Sequence, residues 1–235
     1  MLRNFFMKMY GAASDLNRAN LVSLLQEGAR GPVERLIDIG CDDGAWTIQL
    51  ARATGTSEVH GVEIVSAAAD EAERRGIHVW RIDANLPLAS IPGDTFDAVH
   101  SNQVIEHVAN VDTFVSEVHR ILRPGGYAVV STENGSSWHN IGAAVLGWQI
   151  FSLTNVSGKA AGLGNPWALQ RGSDAFSPAW RHRTIFNYRG LVEMFEVHGF
   201  REVTVRGAGY FPLPARLGTI DVRHSAFITV GARKP

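Results

Sequence analysis

Apolar residues along this chain alternate between two rhythms from Glu34 onward. Short strand-like segments occur at 35–39, 57–64, 77–82, 95–101 and 127–131, the first of them an apolar run ended by Gly40. Between them lie stretches with helical spacing. Segment 45–53 carries Trp46, Ile48 and Leu50, and segment 67–75 is rich in Ala, Glu and Arg and is stopped by Gly76. Over 111–122 the residues Val111, Phe114, Val115, Val118, Ile121 and Leu122 fall three and four apart, which predicts one helix face. Alternating strand and helix predict an α/β fold with a mostly parallel sheet and helices on its faces.

The rhythm fails between Glu133 and Tyr188, a segment rich in Gly, Ser, Asn and Trp. It returns with a helix over 190–198, stopped by Gly199, and with strands at 202–206 and 225–230. No repeat or low-complexity tract interrupts the chain. The division predicted is one domain: an N-terminal helical lid (1–32), a core (33–132), an inserted cap after the fifth strand (133–188), and a final helix with strands (189–235).

Composition narrows the function classes. The 235 residues are 45% hydrophobic and 19% charged, with a net charge of −1, which leaves no basic excess for nucleic acid. Arg171, Arg181, Arg183, Arg189 and Arg201 crowd the last third, as a solvated surface would. A single cysteine, Cys41, excludes an internal disulfide and a cysteine-based zinc cluster. The first ten residues lack the apolar core and cleavage pattern of a signal peptide, and no apolar run approaches the length of a membrane span. The expected address is the cytoplasm.

Candidate chemistry gathers at strand ends. Asp38-Ile-Gly40-Cys-Asp42-Asp-Gly44 sits where the first strand hands over to a helix. Glycine permits a sharp turn there and close approach of a ligand to backbone amides. The spacing does not match Gly-x-Gly-x-x-Gly, and three aspartates would repel a pyrophosphate, so a nicotinamide dinucleotide is disfavoured. A cationic ligand suits the acidity. Glu63 ends the second strand, where a carboxylate can accept both ribose hydroxyls, and Asp83 ends the third, where one can accept from an exocyclic amine. Open α/β sheets bind ligands at these strand tips.

Taken together, Leu36 to Gly44, Gly61-Val-Glu-Ile64, Arg81-Ile-Asp-Ala84, Phe96-Asp-Ala-Val99, Val104-Ile-Glu-His-Val108 and Arg120-Ile-Leu-Arg-Pro-Gly-Gly126 resemble class I S-adenosylmethionine-dependent methyltransferases of the small-molecule and lipid-type branch. The resemblance implies a Rossmann-like seven-stranded sheet whose last strand runs antiparallel. It implies S-adenosyl-L-methionine as cofactor and S-adenosyl-L-homocysteine as product. It places Asp38, Gly40 and Gly44 at the methionine end, Glu63 on the ribose and Ile64 against the adenine. Asp83 and Ala84 fall at the adenine edge, and Asn102 and Gln103 near the methionine part. Asp42 stands where the family usually has glycine; aspartate tolerates a left-handed backbone better than most residues.

Methyl transfer from a sulfonium is an in-line displacement that needs alignment, exclusion of water and, for a hydroxyl acceptor, removal of a proton. No metal is required. Tyr10, Asn17 and Arg18 belong either to a lid over the cofactor or to a packing helix. In the insertion, Trp138, Ile141, Val145, Leu146, Trp148, Ile150, Phe151, Trp167, Phe176 and Trp180 suggest a cap over a hydrophobic acceptor. A membrane-touching segment and a self-contained small core are the other readings. His107, His139 and His182 are the candidate proton acceptors, each set against a structural role. The reaction expected is transfer of methyl, at oxygen in the first instance, to a small-molecule, glycan or lipid-linked acceptor. A cofactor-binding partner subunit without transfer activity is the alternative.

Overall fold

The computed structural model describes residues 2–172 and 181–235. One seven-stranded sheet forms the frame, in the spatial order β3-β2-β1-β4-β5-β7-β6. Strands β1 (Arg35–Ile39), β2 (Glu58–Val62), β3 (His78–Trp80), β4 (Phe96–Asn102) and β5 (Leu122–Glu133) run parallel. Strand β7 (Phe227–Arg233) is antiparallel to both β5 and β6 (Arg201–Ala208), as the resemblance implied.

Side-chain alternation explains why both faces are covered. Leu36, Ala98 and Val129 point to one face, where Leu21, Leu24 and Leu25 of α1 (Leu2–Gly28) and Leu50 of α2 (Ala45–Thr54) bury them. Their neighbours Ile37, Val99, Ala128 and Val130 point to the other. There they meet Phe114, Val115 and Val118 of α4 (Val111–Ile121) and Leu191 and Phe195 of α6 (Tyr188–Val197). Helix α3 (Ser66–Arg74) joins the first layer through Ala69 and Ala72, which pack with Ile48 and Val59. The N-terminal region is a single 27-residue helix.

Two elements differ from the sequence expectation for local reasons. The third strand is only His78–Trp80, so Asp83 lies three residues beyond it in a loop. The fifth strand starts at Leu122, before the Pro124-Gly125-Gly126 break, because Leu122 still pairs with Phe96. The register then shifts before Ala98 meets Tyr127, and Gly125 takes the left-handed conformation (φ 78°) that such an irregularity favours. The inserted segment holds α5 (Trp138–Val145) and a short 3₁₀ turn, Phe151–Leu153. Phe176 and Trp180 lie outside the described residues. Among the described residues no helix is long and apolar enough to cross a membrane.

Candidate active site

The strand order reverses at β1, with β2 on one side and β4 on the other, and the crevice expected there opens at the carboxyl ends of the strands. The turn from β1 to α2 is anchored from below: the amides of Gly40 and Cys41 both donate to Val62 O, at 2.8 and 3.2 Å. Gly40 (φ 81°) and Gly44 (φ 77°) take left-handed backbone, and so does Asp42 (φ 49°). The space beside both glycines is filled by protein. A Cβ on Gly40 would fall 2.4 Å from Val104 Cγ2, and one on Gly44 would fall 2.5 Å from Ile77 Cδ1. Their lack of a side chain therefore serves packing at these points as well as the turn. Asp43 Oδ1 accepts from Ala45 N at 2.9 Å, placing a carboxylate at the start of α2.

The three strand-tip acids have different surroundings. Asp38 is buried, with one oxygen accepting from Thr47 Oγ1 at 2.5 Å and the other paired with His100 Nδ1 at 2.7 Å. It shapes the turn from within. Glu63 faces the turn: its oxygens accept from Asp42 N (3.1 Å) and Val65 N (2.8 Å), each keeping a lone pair. Ile64 beside it is 55% exposed, as an apolar platform for a planar ligand would be. Asp83 Oδ1 accepts from Asn85 N and Nδ2, at 2.9 and 2.6 Å, and Asn85 Oδ1 in turn accepts from Ala109 N. Ala84 follows it, half-buried and packed against the core.

At the end of β4, Asn102 Oδ1 accepts from Asn17 Nδ2 at 3.1 Å, while Asn17 Oδ1 accepts from Ser131 Oγ and Thr229 Oγ1. Asn17 of α1 thereby ties β4, β5 and β7 together. Gln103, at φ 57°, donates its amide to Ser131 O and its Nε2 to Ser131 Oγ. Arg18 lies over the Trp46 ring, 5.3 Å from its centroid.

Next to this crevice is a cavity of about 320 Å³ lined by Phe6, Tyr10, Trp138, Trp148, Phe151, Trp167 and Phe211 among others. The N-terminal helix and the inserted segment thus share one chamber, and Tyr10 packs edge-on to Phe227 in its wall. Of the three histidines, the structure brings two together. His107 and His182 pack ring to ring, 4.8 Å apart, and both are tied through Nδ1 to carbonyls, Arg181 O at 3.1 Å and Ser152 O at 2.6 Å. A carbonyl only accepts, so both Nδ1 atoms carry hydrogen, and in the neutral ring Nε2 then holds the lone pair. His139 is apart from them, in the cavity wall against Phe151 and Phe211. Burial, followed for His107 by the neighbouring His182, pushes both His107 and His139 down to about 4.

Two carboxylates absent from the sequence-based candidates complete the site. Glu106 is fully buried with neither oxygen hydrogen-bonded, and burial pushes it up to about 8. Glu133 ends β5 and lines the cavity, its Oε2 3.8 Å from His182 Nδ1. One ligand atom each from Glu106, His107 and His182 lies within 4.8 Å of the others, close enough to share one divalent cation. The signal for Glu106 was present beside His107 in the sequence; Glu133 carried none.

A family model described as a methyltransferase domain matches residues 12–205, more than half the chain. The chain belongs to this methyltransferase family. A ubiquinone biosynthesis O-methyltransferase of Mesorhizobium japonicum is 34% identical over 123 residues, 48% of this chain and 46% of that protein. An Agrobacterium fabrum protein of the same name is 33% identical over 110 residues, 45% of this chain and 44% of its own. This methyltransferase thus spans under half the length of those curated relatives. In fold it is similar to an S-adenosylmethionine-dependent methyltransferase structure from Thermotoga maritima, with 18% identity, a TM-score of 0.63, and coverage of 99% of this chain and 95% of the other.

Proposed function

We propose that this methyltransferase transfers methyl from S-adenosylmethionine to a hydroxyl of a hydrophobic small-molecule acceptor. One observation carries the reading: β5 runs from the candidate cofactor crevice to the aromatic cavity. Ser131 contacts Asn17 and Gln103 beside the crevice, and Glu133, two residues on and so on the same side of the strand, lines the cavity. In this reading Glu63 and Asp83 hold the ribose and adenine, with Ile64 and Ala84 against the base. Asp38, Gly40, Asp42 and Gly44 form the turn at the methionine end, with Asn102 and Gln103 opposite. The acceptor lies among Trp138, Trp148, Trp167 and Phe151, and His182 Nε2 takes its proton, with His107 beside it. His139 helps shape the acceptor chamber. The exposed Val145, Leu146 and Trp167 support an acceptor drawn from a lipid surface by a cytoplasmic protein.

The test is calorimetric titration with S-adenosylhomocysteine, followed by transfer of labelled methyl from S-adenosylmethionine into a cell extract. Absence of binding removes the reading. Binding without any labelled product would assign the chain to a cofactor-binding partner subunit instead.

A further inference from the structure

The cavity's electrostatics say more about the acceptor, an argument that rests on the cavity being the acceptor site. Its described walls are aromatic or aliphatic apart from Tyr10, Glu133, His139 and Gln170. No lysine or arginine lines it among the described residues. His139 is held neutral near pH 7 by its burial. Arg18, which acts on the Tyr10 phenol, has its guanidinium placed over Trp46. His182 has its Nδ1 hydrogen engaged with Ser152 O, 2.6 Å away, against 3.8 Å to Glu133. The Glu133 carboxyl group therefore faces a largely apolar chamber with no lysine or arginine among its described lining residues. Its charge is felt nearby: after burial, Glu133 is the next cause that raises Tyr10 above its ordinary range.

We infer that Glu133 is a specificity-determining residue that accepts a hydrogen bond from the acceptor's hydroxyl and excludes acceptors bearing a carboxylate or phosphate. A hydroxyl can donate to the carboxylate and so offset the loss of water around it. An anion entering the same chamber gives up its hydration, meets a like charge at low dielectric and finds no lysine or arginine among the described lining residues. The acceptor class is accordingly an uncharged, largely apolar hydroxyl compound.

Trp138, Trp148 and Trp167 report on the cavity by their fluorescence. The experiment titrates the full chain with two matched probes, 4-butylphenol and 4-(4-hydroxyphenyl)butanoate, at pH 7.5, with S-adenosylhomocysteine affinity measured separately. The wild type should bind the phenol at least about tenfold more tightly than the carboxylate, and Glu133→Gln should bring that ratio below about threefold, chiefly by tighter carboxylate binding. S-adenosylhomocysteine affinity and the unfolding temperature should stay unchanged in the variant. Equal binding of the two probes by the wild type overturns the inference. So does an undiminished ratio in Glu133→Gln, or binding of neither probe. A wild type that fails to bind S-adenosylhomocysteine sinks the methyltransfer reading instead, and leaves the probe ratio to be judged alone.

Discussion

His100, in the middle strand β4, donates its Nδ1 hydrogen to Asp38 at 2.7 Å beneath the turn that precedes α2. The tautomer follows from the other ring nitrogen, which faces the indole Nε1 of Trp46 at 3.5 Å; an indole only donates. Thr47 closes the set on the second Asp38 oxygen. Everything in it except Trp46 is buried, so removal of the carboxylate leaves His100 and Thr47 without partners. Asp38→Ala should lower stability by ~2–4 kcal/mol in urea unfolding, and Asp38→Asn by less. A loss below ~1 kcal/mol for the alanine variant would show that the network is not part of the turn's foundation.

Gly40 and Asp42 share left-handed backbone but should respond oppositely to substitution. Gly40→Ala sets a Cβ against Val104 and strains φ, and should cost ~2–3 kcal/mol. Adding Val104→Ala should recover the overlap part and not the backbone part. Asp42 is exposed, and Asp42→Gly relieves its φ of 49°, for a gain of up to ~1 kcal/mol. A stabilised Gly40→Ala protein would contradict the packing described for Val104.

The parts legible in the sequence are those governed by near-neighbour rules. Strand β1 ends at Ile39 as its apolar run does, and α4 follows the spacing of Phe114, Val115 and Val118. Glu63 was readable at the end of β2 because a parallel sheet sends its strand tips to one edge, whereas Asp38 lies within β1 and Asp83 three residues past β3. What escaped depends on long separations. Glu106 and His107 meet His182 only after the insertion folds back, with the amides of Arg183 and Thr184 donating to Glu106 O. Phe6 and Phe211 share a cavity wall from opposite ends of the chain. Local composition also left α1 ambiguous between lid and packing helix. In the structure Tyr10 of α1 lines the cavity while Asn17 ties three strands.

Glu63 and Asp83 should separate cofactor binding from folding. Neither is deeply buried, and both accept from nearby backbone amides, so Glu63→Gln and Asp83→Asn preserve shape while removing charge. Each should weaken S-adenosylhomocysteine binding by ~1–3 kcal/mol, with little change in unfolding temperature. Unchanged calorimetric affinity in both variants would place the cofactor elsewhere.

His139 makes stability depend on pH. Burial pushes its folded value down to about 4 from the ordinary 6.5, so between these values the unfolded chain binds a proton that the folded chain does not. Stability from this group is complete above pH 6.5 and is lost as pH falls toward 4, in total on the order of 3 kcal/mol. His139→Phe, which keeps a ring against Phe151 and Phe211, should flatten the curve of unfolding temperature over that window. His107, depressed in the same direction, preserves part of the slope. Identical curves for variant and wild type would show that His139 does not titrate in this way.

His182 tests the chemistry itself. Its Nδ1 is committed to Ser152 O, which leaves Nε2 as the proton acceptor and fixes the ring's orientation. His182→Ala should reduce turnover by ~10²–10⁴ for a hydroxyl acceptor, without altering S-adenosylhomocysteine affinity. His182→Gln, which restores a polar contact but no basic nitrogen, should not rescue it. For a purely structural histidine, glutamine would recover much of the activity. Loss of turnover in both variants at unchanged S-adenosylhomocysteine affinity supports His182 as the group that removes the proton. A fall in cofactor affinity would instead move His182 to the cofactor's side of the site.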